Sequence, residues 1–296
     1  QRSTTVGLAW KRNYKNGKGF MTTALSTNRL ENVFSRYEDN TTRTGTIFQN
    51  DSFEWETKLR YQTTFYTDQW KWSSGFNIQQ SSYQNNTIFN YYDIAYNTSI
   101  DFMKYGLFVK GSRKLLNDRL DLTLGLRTDA DSFSTGSNLI DNLSPRIAFS
   151  YALTENQQWK LNATAGRYFK IPTYTMLGFQ NERSLFVNQD ASYVRSDHFV
   201  AGLEYNFTPS SRFTLEAFLK NYSNYPVSVV DGVSLANKGG GFEVLGNEEI
   251  VSNGTGQSSG LELLFQQKLS NNFYGVFAYT YFFSEFTGLD LVSRPS

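Results

Sequence analysis

Hydrophobic and polar residues alternate along most of this chain, and nowhere more plainly than between Tyr193 and Tyr225. Phe199, Ala201, Leu203, Tyr205 and Phe207 take every second place, with His198, Gly202, Glu204 and Asn206 between them. After Thr208-Pro209-Ser210-Ser211 the alternation resumes through Phe213, Leu215, Ala217 and Leu219, with Thr214, Glu216 and Lys220 on the other parity. Successive side chains of a strand leave on opposite faces, so a period of two predicts two antiparallel strands with one apolar and one wet face.

The same unit recurs along the chain. Val6, Leu8 and Trp10 lead into the turn Asn13 to Gly19 and a return strand from Phe20 to Thr27; Trp55 to Phe65 turns at Thr67-Asp68-Gln69 into Trp70, Trp72, Phe76 and Ile78. Ile100 to Lys110 pairs with the row Leu120, Leu122, Leu124, Leu126 around Leu116-Asn117-Asp118. Arg146 to Leu153 pairs with Trp159 to Phe169, and Gly256 to Lys268 with Phe273 to Phe286. Polar stretches without a period, Asn28 to Ser52, Gln80 to Asn97, Asp131 to Leu143, Ile171 to Ser192 and Pro226 to Thr255, read as long loops. The count is about twelve strands of about ten residues, a length that crosses a bilayer at a tilt.

Tight turns thus alternate with long loops. A soluble meander has no reason to gather its long connections at one end, whereas an outer-membrane barrel has short turns on its periplasmic side and long loops outside. The predicted fold is therefore all-β: a transmembrane, antiparallel, up-and-down β-barrel. Lys58, Arg60, Asp121, Arg127, Arg146, Lys160, Glu204, Glu216, Lys220 and Glu262 fall on its lumen side, and Leu122, Leu124, Phe149, Leu161, Leu203, Leu215 and Leu263 on its lipid side. Trp70, Trp72, Tyr151, Trp159, Tyr205 and Phe207 sit beside short turns, as a periplasmic aromatic girdle would. Arg167 breaks the parity, which places it above the apolar band.

Composition narrows the choice further. Of 296 residues, 39% are hydrophobic and 17% aromatic, with 25 Phe and 19 Tyr; this bias suits strands and interface girdles better than helical cores. Mean hydropathy is −0.47, and no window has the long apolar run of a transmembrane helix. A net charge of +1 gives no reason to expect nucleic acid, and the absence of cysteine excludes disulfides and thiolate chemistry. Gln1-Arg2-Ser3 has neither the charged nor the apolar region of a signal peptide.

Four stretches then resemble a known family. Leu143-Ser144-Pro145-Arg146-Ile147-Ala148, Ala165-Gly166-Arg167-Tyr168-Phe169-Lys170-Ile171-Pro172, Tyr193-Val194-Arg195-Ser196-Asp197-His198 with Gly202-Leu203-Glu204-Tyr205, and Ser259-Gly260-Leu261-Glu262 resemble, in this order, the barrel of TonB-dependent outer-membrane receptors, most closely those of Bacteroidetes. The resemblance implies a barrel of about 22 strands around a plug domain. Neither plug nor TonB-contacting segment is visible in residues 1–296, so the chain is expected to be an internal part of that barrel domain. It further implies import of a siderophore, cobalamin, glycan or peptide at the outer membrane of a Gram-negative bacterium. The partners implied are outer-membrane lipid, the TonB-ExbB-ExbD energy complex acting through the plug, and a surface lipoprotein. The rival reading is a complete smaller barrel acting as a passive porin or an outer-membrane enzyme.

Residues with chemistry of their own are few. His198 is the single histidine; on a strand Asp197 points away from it and Ser196 lies about 7 Å along, so a lumen-facing histidine is expected rather than a catalytic relay. Glu248-Glu249, Asp129 with Asp131, and Asp190 read as solvated loop charges, since no calcium-loop spacing surrounds them. Gly239-Gly240-Gly241 lacks the Lys and Ser/Thr of a phosphate loop. No catalytic, metal or cofactor site is predicted. On the loop side, Tyr91, Tyr92, Tyr168, Tyr174, Phe179, Arg195, Tyr222 and Tyr225 are the candidates for a ligand vestibule, where aromatic rings stack and hydroxyls hydrogen-bond.

Overall fold

The computed structural model describes residues 1–90, 94–238, 246–270 and 272–296. These form one sheet of thirteen strands, each paired antiparallel with its neighbours in chain order: β1 (Arg2–Asn13), β2 (Gly19–Asp39), β3 (Thr44–Tyr66), β4 (Lys71–Phe89), β5 (Ile94–Leu115), β6 (Leu120–Asp131), β7 (Ser144–Ala152), β8 (Trp159–Lys170), β9 (Val194–Thr208), β10 (Ser211–Ser228), β11 (Ile250–Ser270), β12 (Phe273–Thr287) and β13 (Ser293–Pro295). A one-turn helix, α1 (Tyr174–Leu177), interrupts the β8–β9 connection. No helix among the described residues is long and apolar enough to cross a membrane. The tight turns use residues that tolerate left-handed backbone: between β5 and β6, Asn117 and Asp118 have φ of 55° and 64°.

The two faces separate as the alternation predicts. Lys160 lies opposite Glu204, and Lys220 opposite His198. The Arg127 guanidinium reaches across to Asn77 Oδ1 at 2.9 Å. We call this charged side the inner face. On the outer face Leu124, Leu161 and Leu215 remain about two-fifths exposed (44%, 39% and 42%), in keeping with an apolar solvent around them. The girdle is also present: Trp70 stacks on Trp72 with ring centroids 5.1 Å apart, Trp159 on Tyr205 at 4.3 Å, and Tyr205 meets Phe207 edge-on at 4.5 Å.

Two of the expected long loops are not loops. β2 and β3 continue in register through residues 28–52 to a tip at residues 40–43, and β4 and β5 continue through most of residues 80–97. Apart from the three-residue β13, strands therefore run from 9 to 23 residues instead of about ten. Hydrophobic alternation exists only where one face is apolar; where both faces meet water or polar side chains, the ladder persists and the pattern vanishes. At the β2–β3 tip the Asp39 carboxylate accepts the Thr41 N–H at 2.7 Å and the Thr42 hydroxyl at 2.8 Å, which closes the hairpin. Strand thirteen is the short β13, which pairs with residues 285–287 of β12.

The β8–β9 connection and the described part of the β10–β11 connection fold inward. Met176, Leu177 and Ala191 of the β8–β9 connection and Leu235 of the β10–β11 connection pack on Tyr83, Ile100 and Phe102 of the inner face. Without these connections that apolar inner patch would face water.

Candidate ligand site

The inserted β8–β9 connection is held by its polar atoms as well as its apolar ones. Tyr174 donates its hydroxyl proton to Glu56 Oε1 at 2.5 Å and accepts a hydrogen bond from Lys104. Burial pushes the Tyr174 hydroxyl well above its ordinary value, and the neighbouring Glu56 carboxylate adds to the shift. The phenol therefore stays protonated and keeps donating. Tyr96 donates to the Thr175 carbonyl at 3.2 Å, and Thr98 to the Gly178 carbonyl at 2.5 Å. Asn188, fully buried, donates to the carbonyls of Met176 and Glu248, each at 2.8 Å, and accepts the Ile250 N–H at 3.0 Å. One side chain thus ties both inserted connections to the start of β11.

Between this insertion and the sheet lies a cavity of about 880 Å³, within the size range of small-molecule sites. One wall comes from the inner faces of β2 to β4, with Phe34, Phe48, Asn50, Glu54 and Asn85; the opposite wall comes from β8 to β10, with Tyr168, His198, Tyr222 and Tyr225. Lys170 to Thr173, Thr175 and Met176 also line it. Tyr168 is gripped between the Arg146 guanidinium, 4.2 Å from its ring centroid, and the His198 ring at 4.5 Å. Tyr225 packs on Phe286 at 4.5 Å and meets Tyr222 edge-on at 6.2 Å. Rings held in this way offer rigid stacking surface at little entropic cost.

The structure therefore brings together three of the eight candidates: Tyr168, Tyr222 and Tyr225. Tyr174 and Phe179 belong to the docking of the insertion, Phe179 stacking on Tyr96 at 5.9 Å. Arg195 is turned away. On β9 it shares the outer face with Asp197 and Phe199, while Ser196 and His198 face the cavity. Tyr91 and Tyr92 lie outside the described residues. Phe34, Phe48, Asn50 and Asn85 escaped the sequence reading because their segments lack an apolar period; the signal was the parity itself, since Asn50 and Glu54 continue the even series of Lys58 and Arg60 on β3.

Ser196 and His198 come closer than the strand repeat implies. Their backbones are one repeat apart on the same face, yet the side chains lean together and Ser196 Oγ is 2.7 Å from His198 Nε2. A third partner is not supplied by Asp197, which is on the outer face and bound by Arg167 at 2.8 Å. The loop acids have local partners: Glu248 accepts from Lys238 at 2.9 Å, Asp129 binds Arg127, and Asp131 accepts the N–H groups of Phe133 and Ser134 at 2.8 and 2.7 Å. Among the described residues no three metal-ligating side chains converge.

These features define a class. Residues 1–295 match the family model for the β-barrel of TonB-dependent receptor-like proteins, and the chain belongs to that family, which places it in the outer membrane. Its fold is similar to that of the copper transporter OprC (TM-score 0.68, 14% identity, 96% of this chain and 46% of that one). It is similar also to the alcaligin outer-membrane receptor FauA from Bordetella pertussis (0.64, 12%, 99% and 47%) and to the ferripyoverdine receptor of Pseudomonas aeruginosa (0.68, 11%, 99% and 41%). The chain spans less than half the length of these solved structures. No curated protein sequence matches it.

Proposed function

We propose that this chain is part of the barrel of a receptor that imports a small ligand across the outer membrane with energy delivered through TonB. The observation that carries this reading is the cavity of about 880 Å³ between the inner face and the inserted β8–β9 connection. Its lining lies toward the end of the sheet that carries the long connections, which in this family's topology is the outside of the cell, and its aromatic, amide and hydroxyl groups suit a small ligand. Copper, alcaligin and ferripyoverdine appear in the names of the three similar structures; a small-molecule cargo is the part carried over here. Energy coupling rests on the family, and the plug domain that would receive TonB lies outside residues 1–296.

Uptake in cells is the test. Accumulation of the cognate ligand by the full-length receptor should stop when TonB is deleted or the proton-motive force is collapsed, and should fall in the Tyr168→Ala and Tyr225→Ala variants. Uptake indifferent to both energy treatments would instead establish a passive pore. Orientation is read separately: cysteine at Glu182 should label in intact cells with a membrane-impermeant maleimide, and cysteine at Asp68 should not.

A further inference from the structure

The outer face carries a feature that ligand import does not use. Arg167 and Arg195 both point outward and converge on Asp197: Arg167 Nε donates to Oδ1 at 2.8 Å, and Arg195 Nε to Oδ2 at 3.0 Å. The shared carboxylate positions two guanidiniums and neutralises only one of them. About a third of each arginine side chain stays open (37% and 34%), while Asp197 is more shielded at 23%. Each guanidinium spends its Nε and one Nη on the carboxylate and so keeps further N–H groups for another acceptor.

Directly below, toward the short turns, the outer face is dented. Ala163, Ala201 and Ala217 lie side by side across β8, β9 and β10, flanked by Phe149 of β7. Together with Ile147 and Leu219 they border an apolar groove of about 440 Å³. Ala165 continues the groove upward on β8, and the next residue on that face is Arg167. The outer face carries another groove of similar size, about 430 Å³, bordered by Tyr61, Ser74, Phe76, Leu107, Val109 and Leu126; the arginine pair above the alanines is what sets this one apart.

We propose that this groove and its arginine pair form a site for one phosphate-bearing lipid of the outer leaflet, with an acyl chain along the alanines and the headgroup phosphate on Arg167 and Arg195. The occupant follows from charge and from place. A cationic pair at the upper edge of a lipid-facing band meets headgroups, and planar guanidiniums bind phosphate oxygens in bidentate fashion. The groove below it can receive only apolar matter. The choice of outer leaflet rests on the orientation given above, in which the long connections lie outside.

The full-length receptor, reconstituted in phosphatidylcholine nanodiscs doped with bisphosphorylated lipid A, dephosphorylated lipid A or phosphatidylglycerol, tests this by native mass spectrometry. Retention of bisphosphorylated lipid A should exceed that of the other two at least tenfold. The R167Q/D197N/R195Q variant, which removes both arginines without orphaning the carboxylate, should lose that preference. Ala201→Phe fills the groove, leaves all three charged residues in place and should lower retention at least fivefold. Both variants change outward-facing side chains, and unaltered heat-modifiable gel mobility checks that the barrel has formed. Undiminished retention in either variant overturns the proposal, as does preferential retention of phosphatidylglycerol; neither result bears on energised uptake, which is measured independently.

Discussion

Two kinds of long connection leave the same end of this sheet and behave differently. The β2–β3 and β4–β5 connections stand up as continuations of their strands, whereas the β8–β9 and β10–β11 connections fold inward. The upright pair is the more polar, and the inserted pair carries more apolar residues, among them Met176-Leu177 and Leu235; the difference lies in how many there are and where they sit. In the upright hairpins Val33 and Ile88 stay exposed, the buried Phe48 packs on Phe34 and Phe89 of the neighbouring strands, and the backbone ladder satisfies most N–H and C=O groups. In the inserted connections Met176, Leu177 and Leu235 are buried and recruit an apolar patch of the inner face. A loop with a small core of its own docks; a loop without one can only pair.

The sharpest way to break this contrast is to remove the docking residue. Leu177→Ala is expected to cost the β8–β9 connection about 2–5 kcal/mol of docking energy, seen as new protease cleavage between Ile171 and Ser192 while the sheet stays folded. Ile88→Ala, on an upright hairpin, should change stability by no more than about 0.5 kcal/mol. A substitution in the membrane band sets the scale without touching either region. Leu215→Arg on the outer face is expected to cost about 2–4 kcal/mol near the bilayer midplane and Glu216→Arg on the inner face much less, read from denaturant unfolding in lipid.

Asn188→Ala sharpens the comparison from the polar side. It leaves the Met176 and Glu248 carbonyls and the Ile250 N–H without their partner, at a cost of about 1–3 kcal/mol, and should loosen both inserted connections at once in hydrogen exchange. Loss of protection in the β8–β9 connection alone would show that the two dock independently.

The smallest effect expected is a dependence on pH. Lys238 bridges Asp231 at 2.8 Å and Glu248 at 2.9 Å within the β10–β11 connection. Partial burial alone would raise the Asp231 carboxyl, but hydrogen bonds from Lys238 and the Val233 N–H outweigh it and hold the group below its ordinary 3.8. Burial likewise opposes charge on Lys238, but Asp231 and Glu248 outweigh it and hold the ammonium above 10.5. The carboxylate's contribution is present above 3.8 and lost as pH falls through its lowered value. The ammonium's is present below 10.5 and lost as pH rises through its raised value. The tether should therefore be intact across neutral pH, and the protection factors for hydrogen exchange at Ser228 to Leu235, corrected for the intrinsic rate at each pH, should fall only in acid or strong alkali. A fall in protection near pH 7 would show that this bridge does not hold the connection.

How much of this was legible beforehand depends on the residue. Leu120 to Leu126 and Phe199 to Phe207 declared their strands and faces because lipid lies on one side of them and water on the other. Residues 28–52 declared nothing, although they form one of the longest hairpins, because backbone pairing leaves no mark on side-chain polarity when both faces are polar. Tyr168, Tyr222 and Tyr225 were legible as aromatics on the loop side, but not as three rings around one cavity. Arg195 also lies beside the loops, but its register on β9 turns it to the outer face.

The sequence by itself determined what is periodic and local: the strands of the membrane band, their two faces, the girdle, the short turns and the family. Each follows from side chains alternating along a single strand. The tertiary structure decided which connections pair and which dock, that Asn188 joins two of them, and that the opposite walls of the cavity come from residues as distant as Asn50 and Tyr225. It decided also that Ala163, Ala201 and Ala217 fall side by side beneath two outward arginines. Those outcomes depend on register between strands and on contacts between distant segments, which no local pattern encodes.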